Sequence, residues 1–227
     1  SVTGITAATP NPQGGEILKD ARGQLLGILT DTASARVLDK MPPLSPERRY
    51  AALLKAQEEL FANGITSIVD AGASVADIDL MRRGYERGDL RIRAYVMLNA
   101  STGQDIEYIN SGHKPEREEY GNRLSVAAVK IFSDGSLGSR GAWLINGYAD
   151  RPGHNGSGRY SDEEIYSIIK RARAENFQVG VHAIGDAAVR QTINAMERVL
   201  KEQPLADHRY RIEHFQVVQP EDITRAI

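Results

Sequence analysis

The sequence predicts an α/β fold in which strands and helices form part of a (β/α)8 barrel, preceded by a β-hairpin. Apolar, β-branched segments alternate with amphipathic helical segments along most of the chain, which is typical of a parallel sheet covered by helices. No Gly-x-Gly-x-x-Gly motif follows the first such strand, and the long connections at residues 99–123 and 133–160 both follow strands. These two observations favour a barrel over a doubly wound sheet, which the alternation alone also permits.

The first expected element is the hairpin. The segments EILKD and QLLGIL flank Ala21-Arg22-Gly23, where glycine supplies the bend, and the turn-forming segment TPNPQGG precedes them. We therefore assign residues 1–44 to a hairpin segment and residues 45–227 to a barrel segment.

The barrel segment is expected to open with a helix. Apolar residues recur at helical spacing in RRYAALLKAQEELFAN, with Ser45 as the start signal and Asn63-Gly64 as the stop signal. Strands are then predicted at residues 65–70, 91–98, 125–132, 178–182 and 209–214, with helices near residues 75–87, 161–176 and 186–201. Closure of a barrel needs eight strands, so we interpret the sequence as an incomplete barrel that is cut at both ends.

Composition limits the possible partners. The 227 residues carry a net charge of -2 and contain no block rich in lysine and arginine, which argues against nucleic-acid binding. No apolar run is long enough for a membrane span, and the first residues lack the features of a signal peptide, so we expect a soluble protein with no membrane partner. The sequence does not fix the compartment, and a cytoplasmic location is slightly favoured. Because the chain has no cysteine, any metal must be held by histidine or carboxylate ligands.

Two histidines end neighbouring predicted strands. His182 and His214 are separated by one strand-helix-strand unit, and a barrel places such residues side by side on its catalytic rim. For one strand-end histidine alone, the simpler alternative is a ring that caps the core or hydrogen-bonds a loop. Two histidines in equivalent positions favour a shared role.

Lys130 lies inside the apolar segment SVAAVKIFSDG, where a protonated amine is costly unless it is paired or exposed. A lysine held neutral there can form a Schiff base with a carbonyl, or a carbamate that bridges two divalent cations. The simpler alternative is an ion pair with Asp70 or Asp134.

The Gly-rich connection after Lys130 is about twice the ordinary length, which is typical of functional loops. Arg140 is a candidate donor to a substrate carboxylate or carbonyl, and Trp143 a candidate apolar wall, with plain surface exposure as the alternative for both. Asp70 and Asp134 are candidates for orienting the metal ligands. Asp186 is expected to be a helix N-cap.

Three segments resemble the amidohydrolase superfamily, in the branch of the N-substituted formamide deformylases and YtcJ-like metal-dependent hydrolases: VKIFSDGSLGSRGAWL, VHAIGDAAVRQTINAMERV and YRIEHFQ. TPNPQGGEILKDARGQLLGIL and NGITSIVDAG extend the resemblance to the connection before the second barrel strand and to that strand. The resemblance implies a TIM-type (β/α)8 barrel with a small β-sandwich, in which residues 45–227 supply about strands 2 to 6.

The resemblance also implies a metal centre. Its ligands are a His-x-His pair on the first strand, a commonly carbamylated lysine on the fourth, one histidine on each of the fifth and sixth, and an aspartate on the eighth. Lys130, His182 and His214 match the lysine and the two later histidines, so they are the expected catalytic residues and metal ligands. The expected cofactor is one or two divalent ions, with zinc as the first candidate.

The implied activity is metal-dependent hydrolysis of carbon-nitrogen bonds in amide-like, non-peptide small molecules. The chain has no His-x-His and ends before an eighth strand, so we expect an inactive fragment that binds metal weakly or not at all. A Schiff-base lyase that uses Lys130, and a non-catalytic domain that has lost its metal site, stay open as alternatives. Open sheet edges predict a homo-oligomer.

Overall fold

The computed structural model describes residues 3–100 and 103–226. Strands β1 (Gly15–Lys19) and β2 (Leu25–Asp31) pair antiparallel in a sheet of their own, which confirms the predicted hairpin. Gly23 has φ +78° in the bend, a conformation that glycine adopts without steric cost. A 3-10 turn and the short helix α1 (Ala35–Leu38) follow.

The remaining elements alternate along the chain. The strands are β3 (Ser67–Ala73), β4 (Arg93–Asn99), β5 (Glu116–Glu118), β6 (Leu124–Phe132), β7 (Gln178–Ala183) and β8 (Arg211–His214). The helices are α2 (Pro46–Ala62), α3 (Val75–Glu86), α4 (Gly103–Asn110), α5 (Glu119–Asn122), α6 (Asp162–Ala174), α7 (Asp186–Glu202) and α8 (Pro220–Arg225).

The second sheet is the wall of a half-barrel. Its strands run in the order β3-β4-β6-β7-β8, and each neighbouring pair is parallel, whereas β5 pairs with β6 antiparallel at one position. Strand order follows chain order, as the predicted strand-helix alternation requires. Within the described residues, β3 and β8 each have one neighbour, so both edges of the sheet are open.

The main core lies between the sheet and its helices. Ile78, Ile165 and Ile169 on the helices pack with strand residues such as Val96 and Val181, and all five are essentially inaccessible to solvent. This burial is the principal stabilising contribution in the chain, at roughly 25 cal/mol per Å² of apolar surface. Among the described residues, no helix combines the length and the apolar character that a membrane crossing requires.

A bulge in β6 decides which face Lys130 occupies. Val96 of β4 pairs with Val126, but the next residue, Met97, pairs with Ala128, so Ala127 is an extra residue in β6. Strict alternation from Val126 would place Lys130 on the helix-covered face, and one inserted residue reverses that assignment. Lys130 therefore lies on the concave face of the sheet.

Three sequence expectations are wrong in detail. The strand predicted at residues 65–70 runs over Ser67–Ala73, so Asp70 lies in the middle of a strand and not at its end. The connection 99–123 contains α4, β5 and α5. Gly185, not Asp186, is the N-cap of α7, because the buried Asp186 carboxylate instead accepts hydrogen bonds from the Ile145 N–H and the Gln219 amide.

Candidate active site at the carboxyl ends of the strands

The two strand-end histidines are in contact. The rings of His182 and His214 are arranged edge to face, with centroids 4.6 Å apart. Strands β7 and β8 are parallel neighbours in which Ala183 pairs with His214, so both histidines lie at the same end of the sheet. Their convergence is the arrangement that the sequence predicts.

The backbone at the end of β8 is strained in a way that concerns His214. Glu213 pairs with His182, and alternation would direct His214 to the opposite face. His214 and Phe215 instead have φ angles of +78° and +48°, in the left-handed region that residues with a side chain rarely adopt. This turn allows the His214 ring to reach His182, at a conformational cost of about 1–3 kcal/mol per strained residue.

Lys130 is buried beside these rings. It is 3% exposed, and its amine lies 4.2 Å from the centroid of the Phe132 ring, which is itself 5.7 Å from the His182 ring. Gly72 of β3 lies next to the lysine stem, since a Cβ there would be in ordinary van der Waals contact, 4.0 Å from Lys130 Cγ. One aromatic side chain thus connects the lysine with the histidine pair.

Burial lowers the pKa of Lys130 to about 8. The Glu213 carboxylate opposes this shift, whereas the guanidinium groups of Arg211 and Arg159 add to it. Glu213 is bound by Arg211, and the Lys130 amine has no ion pair or hydrogen bond with any residue in the described ranges. The predicted alternative of an ion pair with Asp70 or Asp134 is therefore not observed. About a tenth of the amine is then neutral at pH 7 and about half at pH 8, and nucleophilic attack and carbamate formation both require this neutral form.

The pKa of His214 is also lowered, first by burial and then by the charges of His182 and Lys130. This direction favours the neutral imidazole, whose free lone pair can bind a metal ion.

Asp134 is the buried centre of this end of the sheet. Its side chain is inaccessible to solvent and accepts hydrogen bonds from the N–H groups of Trp143, Ile184 and Gly185 at 2.8–3.0 Å. One carboxylate oxygen also lies 3.3 Å from His182 Nε2. Asp134 therefore joins the long loop to the turn after β7 and faces one nitrogen of His182, which leaves Nδ1 of that ring for a ligand.

The long loop places its two candidate residues differently. The Trp143 ring is half-buried, lies against Gly158, and packs on the small apolar cluster formed by β7 and α7. The Arg140 guanidinium makes three contacts of 2.7–3.2 Å with the Asp150 carboxylate in the same loop. Lys130, His182 and His214 form a lysine-histidine cluster, and among the described residues the Arg140 side chain makes no contact with it. The role of Arg140 in substrate binding stays a prediction.

Asp70 lies apart from the cluster. Burial raises the pKa of its carboxyl, and the neighbouring Asp77 at the start of α3 raises it further. Alternation places Asp70 on the side of Ile68, which packs against the helices, and so away from Lys130.

Sequence reasoning missed Arg159 and Phe132. Phe132 ends β6 and contacts both Lys130 and His182, while the Arg159 guanidinium carbon lies 5.7 Å from the Phe132 centroid. Phe132 is two residues after Lys130, and the period of a strand could have indicated it. Arg159 ends the irregular Gly-rich loop, where no periodic signal exists.

The donor set fits part of a metal site. His182 and His214 provide two adjacent imidazoles, and Lys130 becomes an oxygen donor only as a carbamate. Within residues 3–100 and 103–226, no three His, Asp or Glu side chains are grouped so that they could hold a metal ion. The described residues thus bring together two imidazoles and one lysine as candidate metal ligands.

Comparison with known proteins identifies the family. The profile of the amidohydrolase family matches residues 1–227. The chain is 34% identical over 228 residues to the amidohydrolase YtcJ of Bacillus subtilis (strain 168), covering 98% of this chain and 41% of that protein. It is 26% identical over 220 residues to the N-substituted formamide deformylase of Arthrobacter pascens, covering 94% and 40%.

One solved structure is similar to this chain in both fold and sequence. An uncharacterized metal-dependent hydrolase from Pyrococcus horikoshii OT3 superposes with a TM-score of 0.72 and 25% identity, over 86% of this chain and 38% of that one. The chain thus spans about two fifths of the length of the relatives that it matches. The full-length profile match, together with the half-barrel and its strand-end histidines, shows that this chain belongs to the amidohydrolase family.

Proposed function

We propose that this chain forms the central part of a metal-dependent hydrolase that cleaves carbon-nitrogen bonds in amide-like, non-peptide small molecules. The observation that supports it best is the contact between the His182 and His214 rings beside the buried, unpaired amine of Lys130. The names of the formamide deformylase and the metal-dependent hydrolase relatives point to the same chemistry.

Each residue has a distinct task in this proposal. His182 and His214 would hold a divalent ion, zinc being the first candidate, through Nδ1 of His182 and a neutral imidazole of His214. The neutral amine of Lys130 could add carbon dioxide and release a proton, and the oxygens of the resulting carbamate would then help to hold the divalent ions. When bound, the metal supplies Lewis acidity, which lowers the pKa of a water molecule and polarises a carbonyl. Asp134 fixes the orientation of the His182 ring, and Trp143 would form an apolar wall of the substrate pocket.

The remaining ligands would come from strands outside these 227 residues. We propose that residues 45–227 supply strands 2 to 6 of an eight-stranded barrel and that residues 1–44 form a segment between its first two strands. Two features support this: the open edges at β3 and β8, and an apolar groove of about 500 Å³ beside β8, with Phe215 and Ile223 in its lining. On this basis the 227-residue chain alone would be inactive.

The test uses the full-length protein. Elemental analysis should find stoichiometric divalent metal in the wild type and much less in His182→Ala and His214→Ala. A matched control is His113→Ala, because that ring stacks on Tyr108 and lies outside the site. Release of formate or acetate from N-acyl amines should depend on the same two histidines. Full metal content in both variants would contradict the proposal.

A second candidate is supported by one observation. The buried Lys130 amine has a pKa of about 8 and no carboxylate partner among the described residues, which suits a Schiff-base nucleophile as well as a carbamate. Borohydride reduction in the presence of a carbonyl substrate would trap a secondary amine on Lys130 if the protein is a lyase. A hydrolase would give no such adduct and would lose activity on removal of metal.

A further inference from the structure

Arg159 lies next to the candidate active site, and its guanidinium has an incomplete set of hydrogen bonds. Its Nε atom is buried and has no hydrogen-bond partner among the described residues. Its one ion-pair contact is long, 3.4 Å from Nη2 to Asp31 Oδ1 at the end of β2. A buried, unsatisfied donor on a charged group is costly, and a bound acceptor would remove that cost.

The guanidinium faces the residues assigned to catalysis. Arg159 lies 5.7 Å from the centroid of the Phe132 ring, the same ring that Lys130 and His182 contact. Its charge also lowers the pKa of Lys130, so the two cations are close enough to interact. A ligand atom bound by Arg159 would therefore be next to the lysine-histidine cluster.

The other arginines of the same loop are already paired. Arg140 makes three contacts with Asp150, and Arg151 forms two hydrogen bonds of 2.7 and 2.8 Å with Glu16 of the hairpin. Both of these guanidinium groups have carboxylate partners in good geometry, whereas Arg159 does not.

The Asp31 carboxylate contacts Arg159, but it accepts a hydrogen bond from only one guanidinium nitrogen, Nη2. This carboxylate lies against Gly135 and Gly141, where a Cβ would be 2.6 and 2.3 Å from the nearest carboxylate oxygen. Asp31 also has φ +46°, an unusual backbone conformation for a residue with a side chain. The absence of a Cβ at the two glycines thus makes room for the Asp31 carboxylate, which is bonded to Nη2 of Arg159 and leaves Nε without an acceptor among the described residues.

The charge around this position favours an anion. The charges that act on Lys130 are those of Arg159, Arg211 and Glu213, and Arg211 already binds Glu213. Asp134 adds little to an incoming ligand, because backbone N–H groups occupy both of its oxygens. Among the described residues Lys130 has no carboxylate within ion-pair distance, and Arg159 has only the 3.4 Å contact with Asp31. A planar guanidinium matches a carboxylate through paired hydrogen bonds.

We propose that Arg159 binds a carboxylate of the substrate, so that the enzyme acts on small amides that carry an acidic group close to the scissile carbon-nitrogen bond. This proposal rests on the proposed hydrolase function and adds the substrate class to it. Arg159 is the residue that selects the acid, and Asp31 is a positioning residue that acts through it.

The test compares two probes that differ in one group, N-formylglycine and the neutral N-formylglycinamide. Calorimetry on the metal-loaded full-length protein should show at least about tenfold tighter binding of the acid, the effect expected of a charge-assisted, paired hydrogen bond. Arg159→Met should abolish the preference, and Arg159→Lys should keep part of it. The matched control is Arg151→Met, which also removes an arginine contact between the loop and the hairpin but should leave the preference intact.

The outcomes separate this proposal from the hydrolase assignment. A preference for the acid that survives Arg159→Met, or that Arg151→Met removes equally, would overturn the role of Arg159. Release of formate is measured independently. A protein that prefers the acid but hydrolyses neither probe would support the anion site and contradict the hydrolase, whereas equal binding and equal hydrolysis of both probes would do the reverse.

Discussion

His182 Nε2 lies 3.3 Å from an oxygen of Asp134, a carboxylate that three backbone N–H groups also approach. One buried acid thus orients a candidate metal ligand and fixes the loop that follows β6. The orientation of the histidine and the path of the loop are consequently coupled, and a single substitution should disturb both.

Asp134→Asn should therefore lower stability and metal affinity together. In either orientation of the asparagine amide, its NH2 group faces a backbone N–H that donates a hydrogen bond to the carboxylate in the wild type. One unsatisfied buried donor costs about 1–3 kcal/mol, and the misplaced His182 ring should weaken metal binding roughly 10–100-fold. Urea denaturation and metal titration of the full-length protein measure the two effects.

Asp150→Asn is the control for Asp134→Asn. Asp150 is an exposed loop aspartate that pairs with Arg140, and loss of an exposed ion pair costs less than about 1 kcal/mol. Equal losses of stability in the two variants would contradict the central position assigned to Asp134.

The titration of Lys130 should appear in the stability of the fold. The folded chain loses the Lys130 proton near pH 8, whereas the unfolded chain keeps it up to the ordinary pKa of 10.5. Between these values the unfolded state binds more protons, so the contribution of this residue to the free energy of unfolding rises with pH and is lowest below pH 8. Lys130→Met should accordingly stabilise the protein more at pH 7 than at pH 10.5.

Metal-free protein and urea denaturation at the two pH values provide the measurement for Lys130. Lys40→Met removes an exposed lysine and should change stability by less than about 0.5 kcal/mol at both values. A stabilisation by Lys130→Met that is the same at pH 7 and pH 10.5 would show that the amine is not held neutral by the fold.

Because His214 has a left-handed backbone conformation, we expect glycine to be more stable than alanine at this position. At an exposed helical position such as Ala51, replacement of alanine by glycine costs about 1 kcal/mol. At position 214, with φ +78°, the order should reverse, and His214→Gly should be more stable than His214→Ala by about 1 kcal/mol. Thermal denaturation of the two variants decides this, and a more stable alanine variant would mean that the left-handed turn does not exist.

Two glycines offer a test of the contact between the long loop and the turn after β7. A Cβ on Gly185 would lie 2.0 Å from the Trp143 carbonyl oxygen, whereas nothing lies within 4 Å of a Cβ on Gly138. Gly185→Ala should cost at least about 2 kcal/mol through overpacking, and Gly138→Ala should be neutral or slightly stabilising. Comparable unfolding midpoints for the two variants would contradict the close approach of Trp143 to the turn.

Regular sequence patterns predict where strands run and end, but they do not predict irregularities within a strand. The convergence of His182 and His214 is predictable because strand ends in a parallel sheet share one edge, so position in the chain implies position in space. The bulge at Ala127 has no period of its own, and it decides the face of Lys130.

Most of the site features that the sequence does not predict depend on irregular segments. The unsatisfied donor of Arg159 and the bonds of Asp134 depend on the path of the Gly-rich loop, which a residue pattern does not encode. Asp186 has the composition of an N-cap, but a tertiary hydrogen bond to the Ile145 N–H outweighs that local preference. Asp70 was expected at a strand end because the β-branched run stops there, yet the strand continues through Ala71-Gly72-Ala73.

The open edges of the sheet should make the 227-residue chain self-associate. The unpaired N–H and C=O groups of an edge strand are a template for another strand, and Val69 on β3 adds an apolar side chain that is 52% exposed. Sedimentation velocity should therefore show a mass that rises with concentration. Val69→Lys should shift the chain toward the monomer, because a charge on an edge strand opposes pairing, whereas Ala51→Lys on the exposed face of α2 should not. A monomer at all concentrations would mean that the edges are protected in the isolated chain.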